Sequence, residues 1–172
     1  MIEIQAPRLP ADSSASPRQL IEQHFPSVGT IPISGGWGYE KDDCVVIDKD
    51  DPTVSKVMPF DGVSIEYVFA EKRIYEELII FQGEGNKYSG IEWNLIKQSL
   101  FGDAGRHFDY LTFNVTALPD GDWDHLKNDW MANDGFSDSE TGLERHLEER
   151  ESLTCCYTAE YWFEITSYFG KF

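Results

Sequence analysis

The alternation of apolar and polar positions is clearest in two stretches of the chain. Leu111, Phe113, Val115 and Ala117 alternate with Tyr110, Thr112, Asn114 and Thr116. A period of two sustained over eight residues predicts a half-buried strand, and Pro119-Asp120-Gly121 ends it. Tyr157, Ala159, Tyr161, Phe163 and Ile165 alternate in the same way with Thr158, Glu160, Trp162, Glu164 and Thr166, which predicts a long closing strand. Cys44 to Ile47 is a short β-branched run that stops at the turn cluster Asp48-Lys49-Asp50-Asp51-Pro52.

Helical spacing appears between these runs. Ser16, Pro17 and Gln19 have the residue types of a capping box with proline at the first helical position, predicting a helix over 17–25 that Pro26 terminates. Trp93, Ile96 and Leu100 fall at i, i+3 and i+7, which predicts a helix over 91–101 with Gly102 as its stop. Trp123, Leu126 and Trp130 repeat that spacing and predict a helix over 122–132, capped by Asp122, with both tryptophans read as core. Leu143 and Leu147 suggest a polar helix over 139–150. The segment 64–81 fits either state; its β-branched and aromatic content favours two strands. The stretch 29–38 is too rich in Gly and Pro to be regular, and 82–87 reads as a turn. Isolated helices mixed with strands that can pair antiparallel define an α+β fold, with a mainly antiparallel sheet and about four helices packed on it. Residues 16–172 are expected to form a single acidic domain, and residues 1–15, rich in Pro, Ser and Ala, a flexible lead-in.

Composition narrows the class. The 172 residues carry 31 acidic and 14 basic side chains, a net charge of -17. Such a charge disfavours direct contact with nucleic-acid phosphates or anionic lipid. Apolar residues make up 41% of the chain, enough to build a core despite the charge, so disorder throughout is not expected. No apolar run approaches the ~18 residues of a membrane span, and residues 1–15 contain no apolar segment of a secretory signal. Three cysteines, with Cys155 and Cys156 adjacent, read as reduced thiols, which points to a cytoplasmic location.

The charge is concentrated. Residues 120–151 hold 11 acidic and 3 basic side chains, and Glu140, Glu144 and Glu148 repeat at i, i+4. Like-charge neighbours at that spacing cost a helix about 0.2–0.5 kcal/mol each. Either the run is a solvated face, or the charge serves to dock a basic protein partner. On the second reading Asp120, Asp122, Asp124, Asp129, Asp134, Glu140, Glu144 and Glu148 are the candidate partner-binding residues.

Motifs for other chemistry fail in detail. Asp120-Gly121-Asp122-Trp123-Asp124 starts like a calcium loop, but His125 and Met131 stand where Gly and Glu are required. His125 and Asp129 lie one helical turn apart, as do His146 and Glu149, yet neither forms a zinc signature, so no metal is expected. Gly35-Gly36-Trp37-Gly38 lacks the Lys and Ser/Thr of a phosphate loop, and Gly83-Glu84-Gly85 puts a carboxylate where phosphate would approach. No catalytic constellation emerges and no cofactor is expected. In size, acidity, aromatic content and lack of a signal the chain resembles the immunity proteins that protect bacteria from toxins. That likeness is one of overall character and transfers no residues. It implies a binding protein that neutralises a basic partner such as a toxin. The alternatives are an enzyme or small-ligand-binding domain with a site assembled from distant residues, lined for example by the 34–38 stretch and the aromatics, and a nucleic-acid mimic.

Overall fold

The computed structural model describes residues 1–8, 14–54 and 59–170. Among these residues the fold is α+β: a mixed, mostly antiparallel sheet of six strands with four α-helices. In chain order the elements are β1 (Ile2–Glu3), α1 (Pro17–His24), β2 (Ile33–Gly35), β3 (Val45–Ile47), α2 (Gly62–Tyr75), β4 (Tyr88–Asp103), β5 (Arg106–Pro119), α3 (Asp120–Ala132), α4 (Glu140–Leu153) and β6 (Cys155–Glu164). The sheet order is β2-β3-β6-β5-β4, with β1 also pairing β6. β3 runs parallel to β6 with Val45 opposite Phe163, and β1 runs parallel to it with Ile2 opposite Cys155. That pairing places a strand inside the expected lead-in; residues 9–13 of the same stretch lie outside the described residues. Ala104 and Gly105 both have positive φ, the backbone that a tight two-residue hairpin needs between β4 and β5.

Contacts divide the chain into two compact units. The first comprises Met1–Arg8, Glu76–Asn94 and Asn114–Thr158, and the second Leu9–Tyr75, Leu95–Phe113 and Ala159–Phe172. In the second unit, Phe69 of α2 meets Tyr161 and Phe163 of β6 edge-on, at ring separations of 5.9 and 5.5 Å, and Tyr67 meets Phe113 of β5. Buried aromatic pairs in this geometry contribute beyond their area. The fully buried Arg73 lies with its guanidinium 4.5 Å from the Trp37 ring centroid. The Gly-rich turn is structural: Gly36 and Gly38 donate backbone N–H bonds to Cys44 and Asp43, and Trp37 N–H donates to the Asp43 carboxylate.

Two predicted elements are corrected. Residues 62–75 are helical, not two strands, and the helix continues as a π-helical turn over Glu76–Ile80. The buried positions of α2 are Gly62, Glu66, Phe69, Ala70, Arg73 and Ile74, which is helical spacing. Because two of these are ionisable, the helical face is invisible to a hydrophobic pattern. Conversely, 91–101 is part of strand β4. Its Ile96, Leu100 and Phe101 are exposed, so their helix-like spacing does not mark a buried face. The stretch 29–38, expected to be irregular, contains strand β2 at Ile33–Gly35, which pairs antiparallel with β3; the other elements stand as predicted, with Ser16 and Gln19 forming the capping box of α1. α3 differs only at its start: Pro119 occupies the cap position, and Asp120 and Asp122 lie in the first turn, where carboxylates favour the helix dipole.

Candidate functional site

Among the described residues two places gather candidate functional side chains. The first is the acidic pair of helices α3 and α4. Asp124, Asp134, Glu140, Glu144 and Glu148 are exposed, and among the described residues none of these five takes part in a salt bridge. The three glutamates repeat along α4 at about 6 Å per step. Asp122 is half-buried. Asp120 and Asp129 are engaged within the fold. Asp120 accepts a hydrogen bond of 2.7 Å from Ser89 Oγ, and Asp129 Oδ2 lies 2.9 Å from His146 Nδ1. The histidine–carboxylate pairs weighed within one helix are in fact formed between helices: His146 with Asp129, and His125 Nε2 with Glu149 at 3.1 Å. Of the two tryptophans read as core, Trp123 is half-buried with its ring against Gly90. Trp130 remains 44% exposed while touching Phe136 and His146.

The second place was not predicted. A cavity of about 700 Å³ lies in the second unit, walled by Phe60, Val63, Leu100, Ile165 and Phe169. Into this apolar lining come two carboxyl groups, Glu66 from α2 and Asp109 from β5, only 1% and 3% exposed. Asp109 shares its strand face with Leu111 and Phe113, so a strand that packs its apolar face inward must bury this carboxyl as well. Gln98 of β4 donates from Nε2 to Asp109 Oδ2. Tyr168 donates from its hydroxyl to Glu66 Oε1 at 2.8 Å. The other oxygens, Glu66 Oε2 and Asp109 Oδ1, are buried without a hydrogen-bond partner. Burial pushes the Glu66 carboxyl up to about 8, reinforced by the negative Asp109 and opposed by the Tyr168 bond. Burial also raises Asp109. Asp61, at the start of α2, is held below the ordinary carboxylate range by hydrogen bonds from Ser64.

Gly62 makes this arrangement sterically feasible. A Cβ there would stand 2.3 Å from Tyr168 Cζ and 2.8 Å from its hydroxyl. Gly62→Ala is therefore expected to swing Tyr168 off Glu66 and to lower stability by about 1–2 kcal/mol, as a denaturant titration would record. Among the described residues no group of three or more His, Cys, Asp or Glu could hold a metal ion, and no helix is long and apolar enough to cross a membrane. All three cysteines are free thiols. Comparison with protein-family models, curated proteins and solved structures finds no match to this chain.

Proposed function

We propose that the protein binds a small, largely apolar molecule in the cavity beside the start of α2. The observation that carries this reading is the presence of two buried carboxyl groups, Glu66 and Asp109, among the residues lining that cavity, each with one oxygen, Oε2 and Oδ1, that has no hydrogen-bond partner. A buried acceptor left unsatisfied costs about 1–3 kcal/mol, and a ligand bearing donors removes that cost. The cavity's size is that of ordinary ligand sites, which combine apolar walls with a few convergent polar groups. Titration with the neutral fluorophore N-phenyl-1-naphthylamine tests it. Saturable enhancement is expected, weakened at least tenfold by Val63→Trp, which fills the mouth from an exposed helical position while leaving the unfolding midpoint unchanged. Absence of enhancement with the wild-type chain would sink the reading.

A second reading, sequestration of a basic protein in the manner of an immunity protein, draws support from the exposed carboxylates of α3, α4 and the turn between them, Asp124, Asp134, Glu140, Glu144 and Glu148 among them, which take part in no salt bridge among the described residues. It expects a stoichiometric basic protein to co-purify from the native cell. That complex should dissociate as salt rises and be lost when Glu140, Glu144 and Glu148 are all changed to Gln. Recovery of no such protein would remove this reading and leave the cavity untouched.

A further inference from the structure

We infer that the ligand of the cavity is a primary amine on a compact apolar body, its ammonium group held between Glu66 and Asp109. This rests on the ligand-binding reading above and specifies its chemistry. Each carboxyl has one oxygen satisfied by a neighbour, Tyr168 or Gln98, and one without a partner. Once both groups are ionised, the missing complement is at least two donors, and both unpartnered oxygens are acceptors on an anionic carboxylate. An ammonium carries three donors and a positive charge on a small volume. A carboxylate or phosphate would meet like charge, and a neutral hydroxyl supplies one donor for two acceptors. The apolar walls Phe60, Val63, Ile165 and Phe169 suit a hydrocarbon body, and the Tyr168 ring, 5.2 Å from that of Phe60, adds an aromatic face favourable to a cation.

The charged groups facing the carboxyl pair fit this assignment. Asp61 is a further carboxylate in the lining, and Lys49, exposed at the cavity, is the cation there. With the cavity empty, the acidic pair keeps a proton that an ammonium would displace. Amine binding should accordingly release a proton and strengthen as pH rises through the titration of the pair, until the amine itself loses its charge.

Calorimetric titration of the full chain with 2-phenylethylamine, 2-phenylethanol and n-propylbenzene separates the outcomes, because the three share one body and differ in the head group. The expected result is at least tenfold tighter binding of the amine, with its affinity rising at least fivefold from pH 6 to pH 8.5 while that of the alcohol stays flat. Glu66→Gln and Asp109→Asn should erase the amine preference while still binding n-propylbenzene. Equal affinity for all three overturns the amine assignment and leaves the cavity reading standing. Binding of none of them, together with no fluorophore binding, overturns both. Should either variant fail to fold, the wild-type pH dependence decides alone: a flat amine profile overturns the assignment.

Discussion

Glu66→Gln is expected to be more stable than the wild-type chain by about 3–5 kcal/mol at pH 8.5, and equal to it near pH 4. The folded carboxyl titrates at about 8, above its ordinary value of 4.5, because it is buried beside Asp109. Between those two values the folded protein holds a proton that the unfolded chain has released. Stability is thus fully present below pH 4.5 and falls as pH rises through 8, where the buried group must ionise. Gln supplies the same volume and can still accept the Tyr168 hydrogen bond, but it has no charge to desolvate. Asp109, also raised by burial, adds a loss of the same sign. Asp51, lowered to about 2 by Thr53 and Arg18, acts in the opposite direction but only at acid pH. Urea unfolding followed by tryptophan fluorescence at the two pH values checks the difference. A difference between wild type and Glu66→Gln that is the same at pH 4 and pH 8.5 would show that Glu66 ionises without penalty.

The same residue explains where the sequence reading parted from the fold. Periodicity finds elements whose buried face is apolar, and it located β5 and β6 for that reason; it found α3 although Leu126 is the one buried residue of that stripe. α2 turns Glu66 and Arg73 inward among Phe69, Ala70 and Ile74. Its hydrophobic pattern is broken at the positions where the cavity wall and the Trp37 contact required polar groups. β4 errs the other way, since Ile96 and Leu100 are exposed and a periodicity rule counts them as core. Both misreadings fall on elements that line the cavity. Local consistency between pattern and fold is commonly relaxed where a site is built.

Part of that site was nonetheless readable. Asp109 sits in phase with Leu111 and Phe113 in the clearest strand of the chain, and a carboxyl in step with a core-facing series signals a buried acid. Glu66 carried no such signal until its segment was known to be helical. Tyr168 lies a hundred residues further on, and only the tertiary fold brings its hydroxyl to Glu66. For the acidic segment the sequence located the charge but could not sort it, because which carboxylates are free depends on how two helices meet.

Asp129 is the sharpest example of that sorting. Asp129→Ala is expected to destabilise the protein by about 2–3 kcal/mol, whereas Glu144→Ala should change stability by no more than about 0.5 kcal/mol. Asp129 receives His146, only 5% exposed and packed against Trp130 and Phe136, so removing the carboxylate strands a buried ring nitrogen. Glu144 is exposed, with two like charges one turn away on the same stripe, so its removal relieves repulsion as much as it removes anything. A double-mutant cycle isolates the contact: His146→Ala should cost a similar amount, and the double variant little more than either alone. Asp129→Asn, which keeps an acceptor for the imidazole, should recover most of the loss. If Asp129→Ala proves as mild as Glu144→Ala, the carboxylate is a surface group, and Asp129 returns to the set available for docking a basic partner.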